Sequence, residues 1–417
     1  MLRDNPKQVI KRVTYDDHTF DHRFMQPLQD ITIIEFGNFI AGPFATMLLA
    51  DMGANVIKVE PAGLGDMARA TPPFVEGHSA SFMALNRNKR SVVLDLKSEA
   101  GQQAALDLVR SADAVVENFR PGVMESLGLG ADTLRALKPE LVCVSVSGFG
   151  QTGSARRRAA VNLIIEAAAG TLSVTGEPGQ MPVRPGIQTG DMFGAMFACY
   201  AVLCGLLGAA RHGRGRTADV SLVEASLAVA AFETADLFAT GVAPEPLGNR
   251  HRLTAPYQLF ECQSGRYVAI GCPNDGVFRK LCEVLGLPAL PSDPRFASYA
   301  QRKLSEAALL PLVQDKVTQW DAQALCAQLE ASGIPCSPVC NYEEALYGAE
   351  AQERERVAQA PHAVLGQFPT VRNPVLFDDG SPRIARGAPL LGEHTDEVLA
   401  ALARRQGAVQ PAAPDHA

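Results

Sequence analysis

The first 150 residues alternate short apolar runs with helix-forming segments, and that rhythm restricts the fold more than any other feature. Ile31-Thr-Ile-Ile34 is β-rich, the loop Gly37–Gly42 follows, and Pro43 suits the first turn of a helix that Gly53 stops. Asn55–Glu60 is the next strand, so the unit reads β-α-β and its strands are parallel. The pattern recurs with a strand at Ser91–Leu96, a helix capped by Ser98, a strand at Ala114–Glu117, two short helices and a strand at Leu141–Val146. This predicts an α/β fold, an open parallel sheet with helices on both faces, in which ligands bind beyond the carboxyl ends of the strands. Those ends are Glu35–Gly42, Glu60–Asp66, Lys97 and Asn118–Gly122.

A chain of 417 residues holds more than one domain. Residues 1–26 read as an N-terminal arm with no secretory pattern, and 27–224 as the first part of a large domain. Residues 225–330 read as a smaller domain entered through the Pro-rich linker Pro244–Pro256, with a hairpin at Tyr257–Cys272 turning at Ser264-Gly265. Residues 331–404 return to the large domain, and 405–417 form a disordered Ala/Pro/Gln-rich tail. The apolar stretch Met192–Ala210, broken by Gly194, Gly205 and Gly208, is expected to be a buried helix. No uninterrupted run reaches the roughly 18 residues of a membrane span.

A net charge of −7 argues against a nucleic-acid binder. Nine cysteines without a CxxC pair fit reduced thiols in a cytoplasmic protein, and Cys336 with Cys340 is a weak metal pattern; no metal site is expected. The glycines at 37–42 lack GxGxxG spacing, and no GxxxxGK[ST], GxSxG or HExxH occurs. Asn86-Arg-Asn-Lys-Arg90 reads either as a solvated loop or as a phosphate site. Arg156–Arg158 reads as surface charge, Asn118–Gly122 as a turn able to grip an anion, and His394 as a local structural hydrogen bond.

In order and spacing, a set of motifs resembles the family III CoA-transferases. They are Phe39–Pro43, Leu49–Glu60, Asn86–Ser91, Leu94–Lys97, Val116–Gly122, Val144–Gly150, Ser292–Phe296 and Gly387–Thr395, within a similarity spanning about residues 27–400. The resemblance implies a Rossmann-like large domain built from both chain ends, a smaller α+β domain, and two chains threaded as interlocked rings. It implies coenzyme A or an acyl-CoA as substrate, bound near Leu94, Asp95, Leu96, Lys97, Asn118, Phe119 and Arg120. It also implies an aspartate nucleophile that passes through a mixed anhydride and an aspartyl thioester.

Aligning Thr175-Gly176 with a TGxxDGPP-like family stretch puts Gly179 where that aspartate is expected. Glu177, two residues away, is the substitute within reach. Val161 and Asn162 stand where the racemase branch has His-Asp, Arg250–Thr254 is not a glycine-rich flap, and Pro61, Ser126 and Ser147 replace basic contacts. The expectation is therefore a subunit without its own catalytic residue, in a heteromeric CoA-transferase whose paralogous partner carries the aspartate. Such an enzyme would move CoA from a succinyl-CoA-like donor to a carboxylic acid such as benzylsuccinate. The alternatives are an active homodimer using Glu177 and a non-enzymatic CoA-binding regulator.

Overall fold

The computed structural model describes residues 26–263, 265–378 and 382–409. Six parallel strands form the main sheet: β1 (Thr32–Phe36), β2 (Asn55–Glu60), β3 (Lys89–Val93), β4 (Ala114–Glu117), β5 (Val142–Ser147) and β6 (Thr217–Ser221). Their order is β3-β2-β1-β4-β5-β6. The chain builds outward from β1 in one direction, then from β4 in the other, so the switch point lies between β1 and β4. Strands such as Val142–Ser147 are covered on both faces, which is why they read as nearly unbroken apolar runs.

One face packs against α1 (Ala41–Asp51), α3 (Asn162–Ala168), α4 (Thr189–His212) and α5 (Leu222–Val229), through Leu49, Val144, Ile165, Ala198 and Leu222. The other carries α2 (Glu99–Arg110), the short helices Val123–Ser126 and Ala131–Leu137, and the C-terminal helix Thr395–Val409. Val398 of that last helix enters the same core as Ile34 and Leu108, so both ends of the chain build the large domain. Ser98 caps α2 as expected, its hydroxyl accepting the Gly101 N–H at 3.0 Å.

The smaller domain has its own core, from Phe260 to Ile334, around an antiparallel sheet of Tyr257–Glu261, Tyr267–Gly271 and Cys336–Pro338. Helices Asp275–Val284, Glu306–Val317 and Ala322–Ala331 cover it. The strand-like segment after residue 334 thus completes this sheet rather than returning at once to the large domain. Residues 225–229 continue α5, whose first residues Leu222 and Val223 pack in the large-domain core. Ser264 of the expected turn, nearly all of the arm and the end of the tail lie outside the described residues.

Helix α4 differs from its sequence reading. Gly190, Gly194, Ala195, Ala198, Val202 and Gly205 are buried, and a Cβ at Gly194 or Gly205 would overlap Leu222 or Val142. The glycines therefore let the helix sit close to β5 and α5. Its other side is open, with Met196, Tyr200, Leu203 and Leu207 exposed. By length and composition this helix is apolar enough to cross a membrane, but here it is the crossover between β5 and β6. A mixed Ala/Gly/Leu run does not say how many of its faces the rest of the chain covers.

Candidate active site

The chain leaves each parallel strand at the carboxyl edge of the sheet, and α4, which leads directly into β6 at the opposite edge, runs back from that side. The loops after β1, β2 and β4 and the first turns of α1 and α4 therefore converge on that edge. An ionic cluster lies beneath them. Glu35, Lys58 and Lys89 come from β1, β2 and β3 and have no exposed surface. Lys58 Nζ lies 2.6 Å from Glu35 Oε1 and 2.7 Å from Asp66 Oδ2, and donates to the Gly37 carbonyl at 2.9 Å. Lys89 Nζ lies 2.8 Å from Glu35 Oε2.

Burial alone would raise Glu35, but Lys58 and Lys89 outweigh it and hold the carboxyl at about 2. Burial opposes charge on Lys58, yet Glu35, Asp66 and Glu60 raise it above the ordinary lysine range. Burial wins at Lys89 and brings it down to about 8 against the pull of Glu35.

This cluster fixes the loop above it. Phe39 takes a left-handed conformation at φ 69°, which costs about 1–2 kcal/mol for a non-glycine residue. Its N–H donates to Asp66 Oδ1 at 2.9 Å, and Asn118 clamps Asn38 through both its N–H (2.7 Å) and its carbonyl (2.9 Å). The Asn86–Arg90 segment belongs to the same scaffold, which corrects both of its sequence readings. Arg87 is buried and grips Asp51 with Nε at 3.0 Å and Nη2 at 2.7 Å, and Lys89 is consumed by Glu35. Their carboxylate partners lie far away in sequence, so a local reading sees only bare positive charge.

The segments expected to bind CoA follow β3 and β4. Leu94 is buried, and Leu96 and Phe119 pack beside it in one cluster. Asp95 Oδ1 accepts the Lys97 N–H at 3.0 Å. Lys97 and Arg120 are exposed, and neither forms an ion pair among the described residues. Below Asn118, Glu117 is buried, accepts the Phe119 N–H at 2.8 Å, and is pushed up to about 7 chiefly by burial. No cluster able to hold a metal occurs among the described residues.

Gly179 sits in an exposed turn at φ 72°, with open space where a Cβ would project. Glu177 lies against the linker: Gly248 donates its N–H to the Gly176 carbonyl at 2.8 Å, and a Cβ at Gly248 would overlap the Glu177 carboxylate. His394 receives the Ser91 N–H at 3.4 Å and acts as a local hydrogen-bond partner of β3.

The carboxylate that sequence reasoning missed is Asp191, in the first turn of α4. Its N–H donates to Asn162 Oδ1 at 3.2 Å. Burial, and then the charge of Glu166, push its carboxyl up to about 6. A carboxylate half-withdrawn from water at a helix N-terminus, on the ligand-binding edge of a doubly wound sheet, has the attributes of a nucleophile or general base. The signal was present in Thr189-Gly-Asp191, a lone acid opening a long apolar helix.

A model of "CoA-transferase family III" matches residues 28–395. The succinate–glutarate CoA-transferase of Agrobacterium fabrum is 35% identical over 383 residues, covering 90% of this chain and 96% of that protein. The succinyl-CoA–D-citramalate CoA-transferase of Chloroflexus aurantiacus is 35% identical over 376 residues, covering 90% and 93%. A crystal structure of a CAIB/BAIF family protein from Brucella suis superposes with a TM-score of 0.81 at 34% identity, covering 90% of this chain and 99% of that one.

Proposed function

The chain belongs to CoA-transferase family III, and on that premise we propose that it moves CoA from succinyl-CoA to a small dicarboxylic acid with Asp191 as its own nucleophile. The supporting observation is the Asp191 carboxyl, half-buried and shifted to about 6, where α4 starts at the carboxyl edge of the sheet. The dicarboxylate class comes from relatives named for glutarate and D-citramalate. Those acids take precedence over benzylsuccinate as acceptors to test.

In this reading an Asp191 oxygen attacks the thioester carbonyl of the donor. The C–S bond breaks and CoA leaves as the thiolate, giving a mixed anhydride. The thiolate then attacks the Asp191 acyl carbon, releasing the donor acid and leaving an aspartyl thioester. The acceptor carboxylate repeats the first step on that thioester, and the thiolate finally takes the acceptor's acyl group, which frees Asp191. Near neutral pH a carboxyl at about 6 is mostly ionised yet more basic than an exposed aspartate. In the same reading Lys97 and Arg120, exposed and without an ion pair among the described residues, meet the phosphates of CoA above the apolar cluster of Leu94, Leu96 and Phe119.

A second copy of the chain would cover Met196, Tyr200, Leu203 and Leu207 along α4. The reading in which a paralogous partner supplies the carboxylate rests on Gly179. It predicts no turnover by this chain alone and turnover when the paralogue is added. The purified chain, assayed with succinyl-CoA and glutarate or citramalate, separates the two: turnover that Asp191→Asn abolishes and Glu177→Gln retains supports Asp191. An inactive chain rescued by a paralogue overturns it.

A further inference from the structure

Glu166, in α3, has no exposed surface. Burying a carboxylate is unfavourable unless its oxygens are paired, and only one of these is. Oε1 accepts from the Thr189 hydroxyl at 2.6 Å and from the Thr189 backbone N–H at 3.2 Å. Oε2 has no hydrogen-bond partner among the described residues. Tethering Thr189 does not require a charge. A glutamine carbonyl oxygen accepts the same two bonds without desolvating an anion. What glutamate adds is a negative charge beside the first turn of α4, two residues from Asp191.

We propose that Glu166 is a positioning residue for Asp191: one oxygen locks the turn that carries the nucleophile, and the other holds a buried negative charge beside that turn. This rests on the reading of Asp191 above. After burial itself, Glu166 is the charge that acts on the Asp191 carboxyl. The 3-10 turn Thr171–Val174 packed on α3 carries no titratable side chain. Glu224 of α5 is exposed, and Arg211 and His212 stand at the far end of α4. None of these contributes to the shift of Asp191. A neighbouring negative charge disfavours ionisation of Asp191, and a more basic carboxylate is the better attacking group toward a thioester.

The test reads Asp191 chemically. Wild-type full-length chain and Glu166→Gln are modified with a carbodiimide and glycine ethyl ester between about pH 4 and pH 8, and the Asp191 peptide is quantified by mass mapping. Glu166→Gln keeps the acceptor for Thr189 and removes only the charge. The midpoint of Asp191 modification is expected to fall by about half a pH unit or more. The acid limb of kcat should move with it, kcat should fall several-fold, and KM for succinyl-CoA should hold. An Asp191 midpoint identical in the two proteins overturns the proposal. Because the midpoint needs no turnover, a wild-type chain inactive on its own counts against the Asp191 function while the midpoint still decides the coupling. Glu166→Leu, which removes both charge and acceptor, must shift the midpoint in the same direction; no shift in a folded Glu166→Leu protein also overturns it.

Discussion

Lys89 and Glu35 form an ion pair with no exposed surface on either side chain, Nζ to Oε2 2.8 Å, reaching across β2 from β3 to β1. Removing one member of such a pair leaves the other charge buried with fewer partners, which typically costs about 3–5 kcal/mol. Lys89→Met is therefore expected to lose stability on that scale in urea unfolding. Lys97→Met, at an exposed position four residues beyond the end of β3, should change it by less than about 0.5 kcal/mol.

Glu117 predicts a pH dependence. The unfolded chain releases this proton near 4.5, whereas the folded chain keeps it to about 7. The folded state therefore binds more protons between those values, and stability falls as pH rises through that window. Glu117→Gln removes the penalty and should stabilise the protein at pH 8 by up to about 3 kcal/mol, with little effect at pH 4. Thermal melts of both proteins across pH 4–8 check this; parallel curves would refute it.

Much of the fold was legible because parallel strands covered on both faces leave apolar runs, and helices between them leave caps such as Ser98. The parallel direction of the strands followed from the β-α-β units, whereas their order in the sheet came only with the structure. The site was less legible, because its chemistry is tertiary. Arg87 and Lys89 looked like free cations since Asp51 and Glu35 lie far away along the chain. Asp191 was hidden by the apolar helix it opens, whereas its basicity comes from burial and from Glu166, 25 positions earlier in the sequence. The open face of α4 was missed because composition does not report which faces a fold leaves uncovered.

Lys97 and Arg120 carry a binding prediction. Exposed cations that contact phosphates contribute to ground-state and transition-state binding alike. Lys97→Ala and Arg120→Ala should each raise KM for the CoA thioester by about 5–10-fold with kcat near wild type. Steady-state kinetics with a varied thioester decides it, and an unchanged KM would place the phosphates elsewhere.

Gly179 offers a direct comparison of the two functional readings. Its left-handed conformation is one that aspartate tolerates better than most residues, and the space beyond it is open. Gly179→Asp should fold with a loss of no more than about 1–2 kcal/mol. If Asp191 is the nucleophile, turnover stays within about twofold of wild type. Turnover that first appears in Gly179→Asp would favour a chain that had lost its own carboxylate.

The most direct test of the central claim is to trap the enzyme-bound thioester. The purified chain is incubated with succinyl-CoA, treated with borohydride or hydroxylamine, digested and mapped by mass. The expected result is modification of Asp191, absent from Asp191→Asn and unaffected by Glu177→Gln. Modification at Glu177, or none until a paralogous chain is added, would contradict it.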